Sequence, residues 1–151
     1  MTVNLRLANI GDSGLIAVIA KIFISESAYG YTYSEAETRR ITHAYLTDPY
    51  HGVVLAEIDG QAAGIWIGAV IHEWANEPIC YLTKFYILPW ARGRGVADAL
   101  MANFVKWADD NDCLDIFATS TANIGAGEAF QKLCEKHGFV PIGQTMMRRK
   151  P

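Results

Sequence analysis

The chain has 151 residues, 51% of them hydrophobic and 19% charged, with a formal net charge of −3. That length suits one compact domain (1–151) with a real core and is short for two. The weakly acidic balance argues against nucleic acid or an anionic membrane as partner, and no stretch approaches the roughly 18 uninterrupted apolar residues of a membrane span.

In chain order, Val3 to Ala8 reads as a first strand. Asp12 then stands where it would cap a helix whose apolar positions Leu15, Ile16, Ile19, Ile22 and Phe23 recur at three and four. Ser34 and Glu37 have the spacing of a capping box at the start of a second helix carrying Ile41 and Tyr45. Between these helices lies a run of hydroxyls and aromatics, Ser25 to Tyr33, suited to a surface loop or to one wall of a substrate site.

Val53–Ile58 and Gln61–Ile71 form a hairpin across Asp59-Gly60, a favoured two-residue turn. A loop from His72 to Pro78 leads into a strand from Ile79 to Leu88. The next helix, Arg94 to about Asp110, puts Ala97, Leu100, Met101, Phe104, Val105 and Ala108 on one face. Leu114 to Thr119 reads as a strand, and Gly127 to His137 as a helix stopped by Gly138. Val140 to Arg149 reads as one or two closing strands. A strand, turn, long helix and strand in succession make a right-handed crossover, so those two strands should be parallel in a mixed sheet with helices on both faces.

The N-terminal residues Met1 to Arg6 lack the basic head and long apolar run of a secretory signal. Cys80, Cys113 and Cys134 are odd in number and irregularly spaced, which argues against a disulfide framework or a zinc site. The expectation is a cytoplasmic chain with reduced thiols and no metal.

The segment from Ile87 to Ala97 is the richest in chemical meaning. An apolar strand breaks into a glycine-rich turn that opens onto a helix, which leaves successive backbone N–H groups aimed at one point near the positive end of a helix dipole. Gly93 and Gly95 permit close approach, and Arg92 and Arg94 add charge suited to a pyrophosphate. No Gly-Lys-Ser/Thr follows, so it is not a Walker loop, and the spacing is not the three-glycine dinucleotide fingerprint.

Read as Arg-x-x-Gly-x-Ala (Arg92, Gly95, Ala97) after Ile87-Leu88-Pro89, the segment resembles the acetyl-coenzyme A signature of the GNAT superfamily of N-acyltransferases. The resemblance covers most of the chain and is strongest from Tyr81 to Phe139. Trp107-Ala108, Ser120-Thr121 and Leu133 through Gly138-Phe139 resemble a second conserved block. It implies an α/β fold, with a mixed, mostly antiparallel sheet, a splayed pair of parallel central strands and helices on both faces. It also implies acetyl-CoA as acyl donor, and direct attack on it by an amine of a small molecule, peptide or protein. By analogy with the fold, a homodimer is compatible with it.

The resemblance assigns roles by position. The pantetheine arm would lie against the main chain around Phe85 to Ile87, with the Ile87 N–H polarising the thioester carbonyl. Amides of Arg92, Gly93, Arg94, Gly95, Val96 and Ala97 would take the pyrophosphate, and Asn123 is either a donor to the pantetheine or a turn residue.

Two departures stand out. Where many relatives place a tyrosine to protonate the leaving thiolate, this chain has Cys134, which could lend a proton or simply pack beside Leu133 and Phe130. Near Thr83 and Lys84 the acid of many relatives is missing. A base, if one exists, would be Glu26, Glu73, Glu77 or His72; otherwise water takes the proton. Tyr29 to Tyr33, with Trp74, suggest a partly apolar acceptor pocket. Two other readings compete: a coenzyme A-binding module that has lost turnover, and a nucleotide site in an unrelated α/β protein.

Overall fold

The computed structural model describes residues 2–120, 122 and 124–151, with the main chain alone at 125 and 126. Its elements in chain order are β1 (Val3–Leu7), α1 (Ser13–Glu26), α2 (Glu35–Thr47), β2 (His51–Ile58), β3 (Gln61–Ile71), β4 (Ile79–Ile87), α3 (Val96–Asp110), β5 (Asp115–Ala118) and α4 (Glu128–Lys136). The strands form one five-stranded sheet in the order β1-β2-β3-β4-β5. Neighbours are antiparallel as far as β4, and β4 and β5 are parallel. The connections dictate this. Asp59 and Gly60 take positive φ values of 52° and 76°, as a two-residue hairpin requires, whereas α3 carries the chain back across the sheet so that β5 starts beside the start of β4.

Helices cover both faces. On one, Ile16 and Ile19 of α1 meet Val53, Leu55, Ile65, Ile67 and Tyr86, with Tyr45 and Leu46 of α2 at the margin. On the other, Leu100, Met101, Phe104 and Ala108 of α3 and Cys134 of α4 meet Val54, Ala56, Trp66 and Cys80. Alternate residues of β2 enter opposite clusters, which is why it reads as a continuous apolar run. Trp66 and Trp107 meet at 5.2 Å over bare backbone. A Cβ on Gly52 would come within 2.7 Å of Trp107, and one on Gly68 within 2.8 Å of Phe104.

Four local features depart from the sequence reading. Asp12 makes no side-chain cap on α1. Its carboxylate receives both Arg6 Nη atoms at 2.8 Å and the Asn9 N–H at 2.8 Å, a stronger bidentate arrangement than a lone cap bond. Ser34 does cap α2, accepting the Glu37 N–H at 3.2 Å. The reciprocal half of the box is missing, because the Glu37 carboxylate is taken by Arg40. The α3 helix begins at Val96 instead of Arg94, because Gly95 stands at φ 81° as its N-cap.

The fourth is the C-terminal run. Gly138 at φ 90° stops α4 as expected, with Phe139 N–H donating to the Cys134 carbonyl at 3.0 Å. Beyond it, residues 140–151 are exposed and form no strand. Pro141 supplies no ladder donor and Gly143 weakens any strand it interrupts. With that run outside the sheet, β5 is an edge strand. No helix among the described residues is long and apolar enough to cross a membrane.

Candidate active site

The sheet comes apart at one corner. β5 pairs with β4 only from Ile79↔Asp115 to Leu82↔Ala118. At the next residue β4 bulges, since Ile67 faces Lys84 while Gly68 faces Leu82 and Thr83 is left over. The Thr83 hydroxyl fills the broken ladder by donating to the Ile67 carbonyl at 3.0 Å. Further along, Leu88 N–H donates to the Ala63 carbonyl on β3 at 2.9 Å. Because strand N–H groups alternate sides, the amides of Ile87 and Phe85 point to the opposite edge, into the space that β5 has vacated.

The turn continues from this edge. Pro89–Ala91 form a 3-10 turn, and Gly93 and Gly95 adopt φ values of 75° and 81°, where a Cβ on either would meet nothing within 4 Å. No side chain caps α3. The first backbone bond into it runs from Ala99 N–H to the Gly95 carbonyl at 3.2 Å, so the preceding amides of its first turn face outward. Asp98, the acid in that turn, is drawn aside by Lys136 at 2.8 Å and His137 at 2.9 Å. The bond from Lys136, then that from His137, holds its carboxyl below the usual range. An anion approaching the helix end therefore meets a carboxylate whose charge is offset by the paired Lys136. The Arg94 guanidinium lies over the Trp90 ring, 5.5 Å from its centroid.

Arg92 is turned inward. Its Nε donates to the Ile87 carbonyl at 3.2 Å and its Nη2 to Glu26 at 2.9 Å. The same Glu26 oxygen accepts the Tyr86 hydroxyl. Burial of Tyr86, then this bond, raises its phenol well above the ordinary value. Glu26 is the last residue of α1, so the cluster fastens that helix to the glycine turn.

Beside the parting is a cavity of about 250 Å³. Tyr29 and Tyr31 cover it, stacked at 4.9 Å, and Thr83, Lys84, Phe85 and Ser120 form its floor and sides. Lys84 Nζ donates to the Thr83 carbonyl at 3.3 Å, at the residue where the strands separate. Lys84 is exposed, yet the protein flanking it lowers its amine pKa by desolvation. The C-terminal run ends against the covering loop, where Arg149 Nη2 donates to the Tyr29 carbonyl at 2.5 Å.

Several expected residues lie elsewhere. Tyr33 is tied to α1 through its hydroxyl bond to the Ala17 carbonyl at 2.9 Å. Trp74 is fully exposed on the β3–β4 loop and lines no part of the cavity. Glu73, Glu77 and His72 share that loop, at the end of β4 remote from the turn. Cys134 is packed in the core, and burial pushes its thiol up to about 11. It borders a larger opening of about 790 Å³ on the far side of β5, beside residues 139–142. That opening lies along β5 and α4 and is lined also by Val140, Pro141 and Ile142 of the C-terminal run. Asn123 lies outside the described residues.

Lys84, Tyr86 and the tie from Arg92 to Glu26 were not foreseen. The one available signal was a lysine within an otherwise apolar strand.

Residues 19–139 match the family model described as the Acetyltransferase (GNAT) family. The chain belongs to this family, and its chemistry is acetyl transfer to an amine with acetyl-CoA as donor. Among curated relatives, an aminoglycoside N(6')-acetyltransferase type 1 of Salmonella typhimurium (strain LT2) is 29% identical over 101 residues, covering 64% of this chain and 67% of that protein. A protein of the same name from Acinetobacter haemolyticus is 31% identical over 93 residues, covering 59% and 63%. In overall fold, the structure of AAC(6')-Iy in complex with the bisubstrate analog CoA-S-monomethyl-acetylneamine superposes with a TM-score of 0.80 at 20% identity, over 100% of this chain and 99% of that one.

Proposed function

We propose that the outward amides from Gly93 to Ala97 hold the diphosphate of acetyl-CoA. The amides of Phe85 and Ile87 then receive the pantetheine as if it were the next strand, and the Ile87 N–H polarises the thioester carbonyl. The observation that carries this reading is the early end of the β4–β5 pairing at Leu82. It leaves main-chain donors along one edge, in line with an uncapped helix end. The acetyl group comes to the cavity beneath Tyr29 and Tyr31, where alignment with an acceptor amine supplies much of the rate.

Arg92 supports the turn through Glu26 and the Ile87 carbonyl, and Arg94, whose guanidinium lies over Trp90, adds a second positive charge near the diphosphate. Among the described residues lining the cavity there is no carboxylate and no imidazole. The acceptor ammonium therefore loses its proton to water, and Glu26 acts as a positioning residue. The acceptor is an amino group of an aminoglycoside, a reading supported by the names of the curated relatives and by stacked tyrosine faces that suit a cationic sugar ring.

The test is thioester consumption across a panel of aminoglycosides, polyamines and amino-terminal peptides. Fastest turnover with aminoglycosides acetylated at the 6'-amine is the expected result. Turnover confined to peptides would overturn the acceptor assignment while leaving the donor site intact.

A further inference from the structure

We propose that Lys84 is a site of self-acetylation, its amine taking the acetyl group from acetyl-CoA in the strand parting when no acceptor fills the cavity. This rests on the donor site proposed above. Lys84 follows the bulge residue Thr83, and its Nζ lies against the Thr83 carbonyl, at the point where β4 and β5 separate. The side chain lines the same cavity as Phe85, whose amide faces the parting. Desolvation by the flanking protein lowers the amine pKa, which raises the share of the nucleophilic free amine above that of an ordinary lysine.

In the step itself, the lone pair of Nζ attacks the thioester carbonyl carbon. A C–N bond forms, the C–S bond breaks, and coenzyme A leaves as its thiolate. The proton released from nitrogen passes to that thiolate through solvent. The product is an amide on Lys84 that carries no charge and fills part of the cavity, so the modified chain still binds donor but admits acceptor poorly.

The experiment incubates the full chain with acetyl-CoA and no acceptor, then maps acetylated peptides by mass. Thermal shift by acetyl-CoA is recorded on the same samples. Lys106 and Lys136 serve as internal controls, being 73% and 65% exposed. Lys84 is expected to be modified at least about tenfold faster than either, because its side chain lines the cavity to which the proposed donor site delivers the acetyl group. Its rate should saturate over the donor range that saturates the thermal shift, and Gly95→Trp should lose both effects. Preincubated protein should lose acceptor turnover in proportion to the acetyl found on Lys84, and Lys84→Arg should carry no acetyl at that position. A normal thermal shift with Lys84 unmodified, or modified only in step with the two controls, overturns the proposal and leaves the donor site standing. No thermal shift at all overturns the donor site, and the proposal with it.

Discussion

Arg92 Nη2 lies 2.9 Å from a carboxylate oxygen of Glu26, joining the end of α1 to the start of the glycine turn. The same oxygen accepts the Tyr86 hydroxyl. One side chain thus sets the position of elements on either side of the proposed thioester site. That oxygen, already accepting from a phenol and a guanidinium, is poorly placed to take a proton from an acceptor amine.

Glu26→Gln is therefore expected to keep kcat within about threefold of wild type, since the amide oxygen can still accept from Tyr86 and Arg92. Glu26→Ala should lower stability by about 1–3 kcal/mol, because the hydroxyl of the buried Tyr86 and one nitrogen of Arg92 lose their acceptor. In both variants the pH profile of kcat/KM should keep its wild-type form and follow the pKa of the acceptor amine. Loss of the acidic limb in the glutamine variant would restore Glu26 as the general base.

Gly95 can be separated from the core by its own geometry. A side chain there meets no neighbour within 4 Å, but φ is 81°. Gly95→Ala should cost about 1–2 kcal/mol of backbone strain. Gly95→Trp should in addition erase the thermal shift given by acetyl-CoA, because the ring would occupy the space above the outward amides. An undiminished shift in the tryptophan variant would remove the diphosphate from this turn.

Cys134→Ala should leave turnover unchanged, since the thiol faces the core and is absent from the cavity beneath Tyr29. Its effect should be on stability alone, about 1 kcal/mol for a small void in α4 packing. Steady-state kinetics and urea unfolding on one preparation distinguish the two roles. A tenfold fall in kcat with unaltered stability would return the cysteine to the chemistry.

The Arg6–Asp12 pair makes a pH prediction. Bonding to Arg6 holds the Asp12 carboxyl below its ordinary value, so the folded state favours the ionised form more than the unfolded chain does. Its contribution is complete above the unfolded value of about 3.9 and is lost as pH falls through the lower folded value. Asp12→Asn should be less stable than wild type at neutral pH, with a shallower loss between about pH 4 and pH 2. Urea unfolding across that range measures both.

Much of this was legible in the amino acids. The apolar runs of β2 and β3, the Asp59-Gly60 turn and the Arg92 to Ala97 spacing are local signals, and the structure reproduces the elements they imply. The bulge at Thr83 is different. It depends on register against β3, and it sends Leu82 and Tyr86 into clusters on opposite faces although simple alternation would put them on one. The partners of Glu26 and Asp12 were hidden for a similar reason, since Arg92 and Arg6 reach them through tertiary geometry. The run from Val140 to Arg149 misled by composition: its apolar residues suggested a strand, while Pro141 and Gly143 interrupt the pattern.

The parting between β4 and β5 also makes two amides into reporters. With β5 ending at Ala118, the hydrogens on Phe85 and Ile87 have no strand to shield them, while Leu88 remains locked to Ala63. Deuterium should enter the first two quickly and the third slowly. When donor binds, the first two should slow and the third should not change, so that ligand completes the sheet in the way a missing strand would.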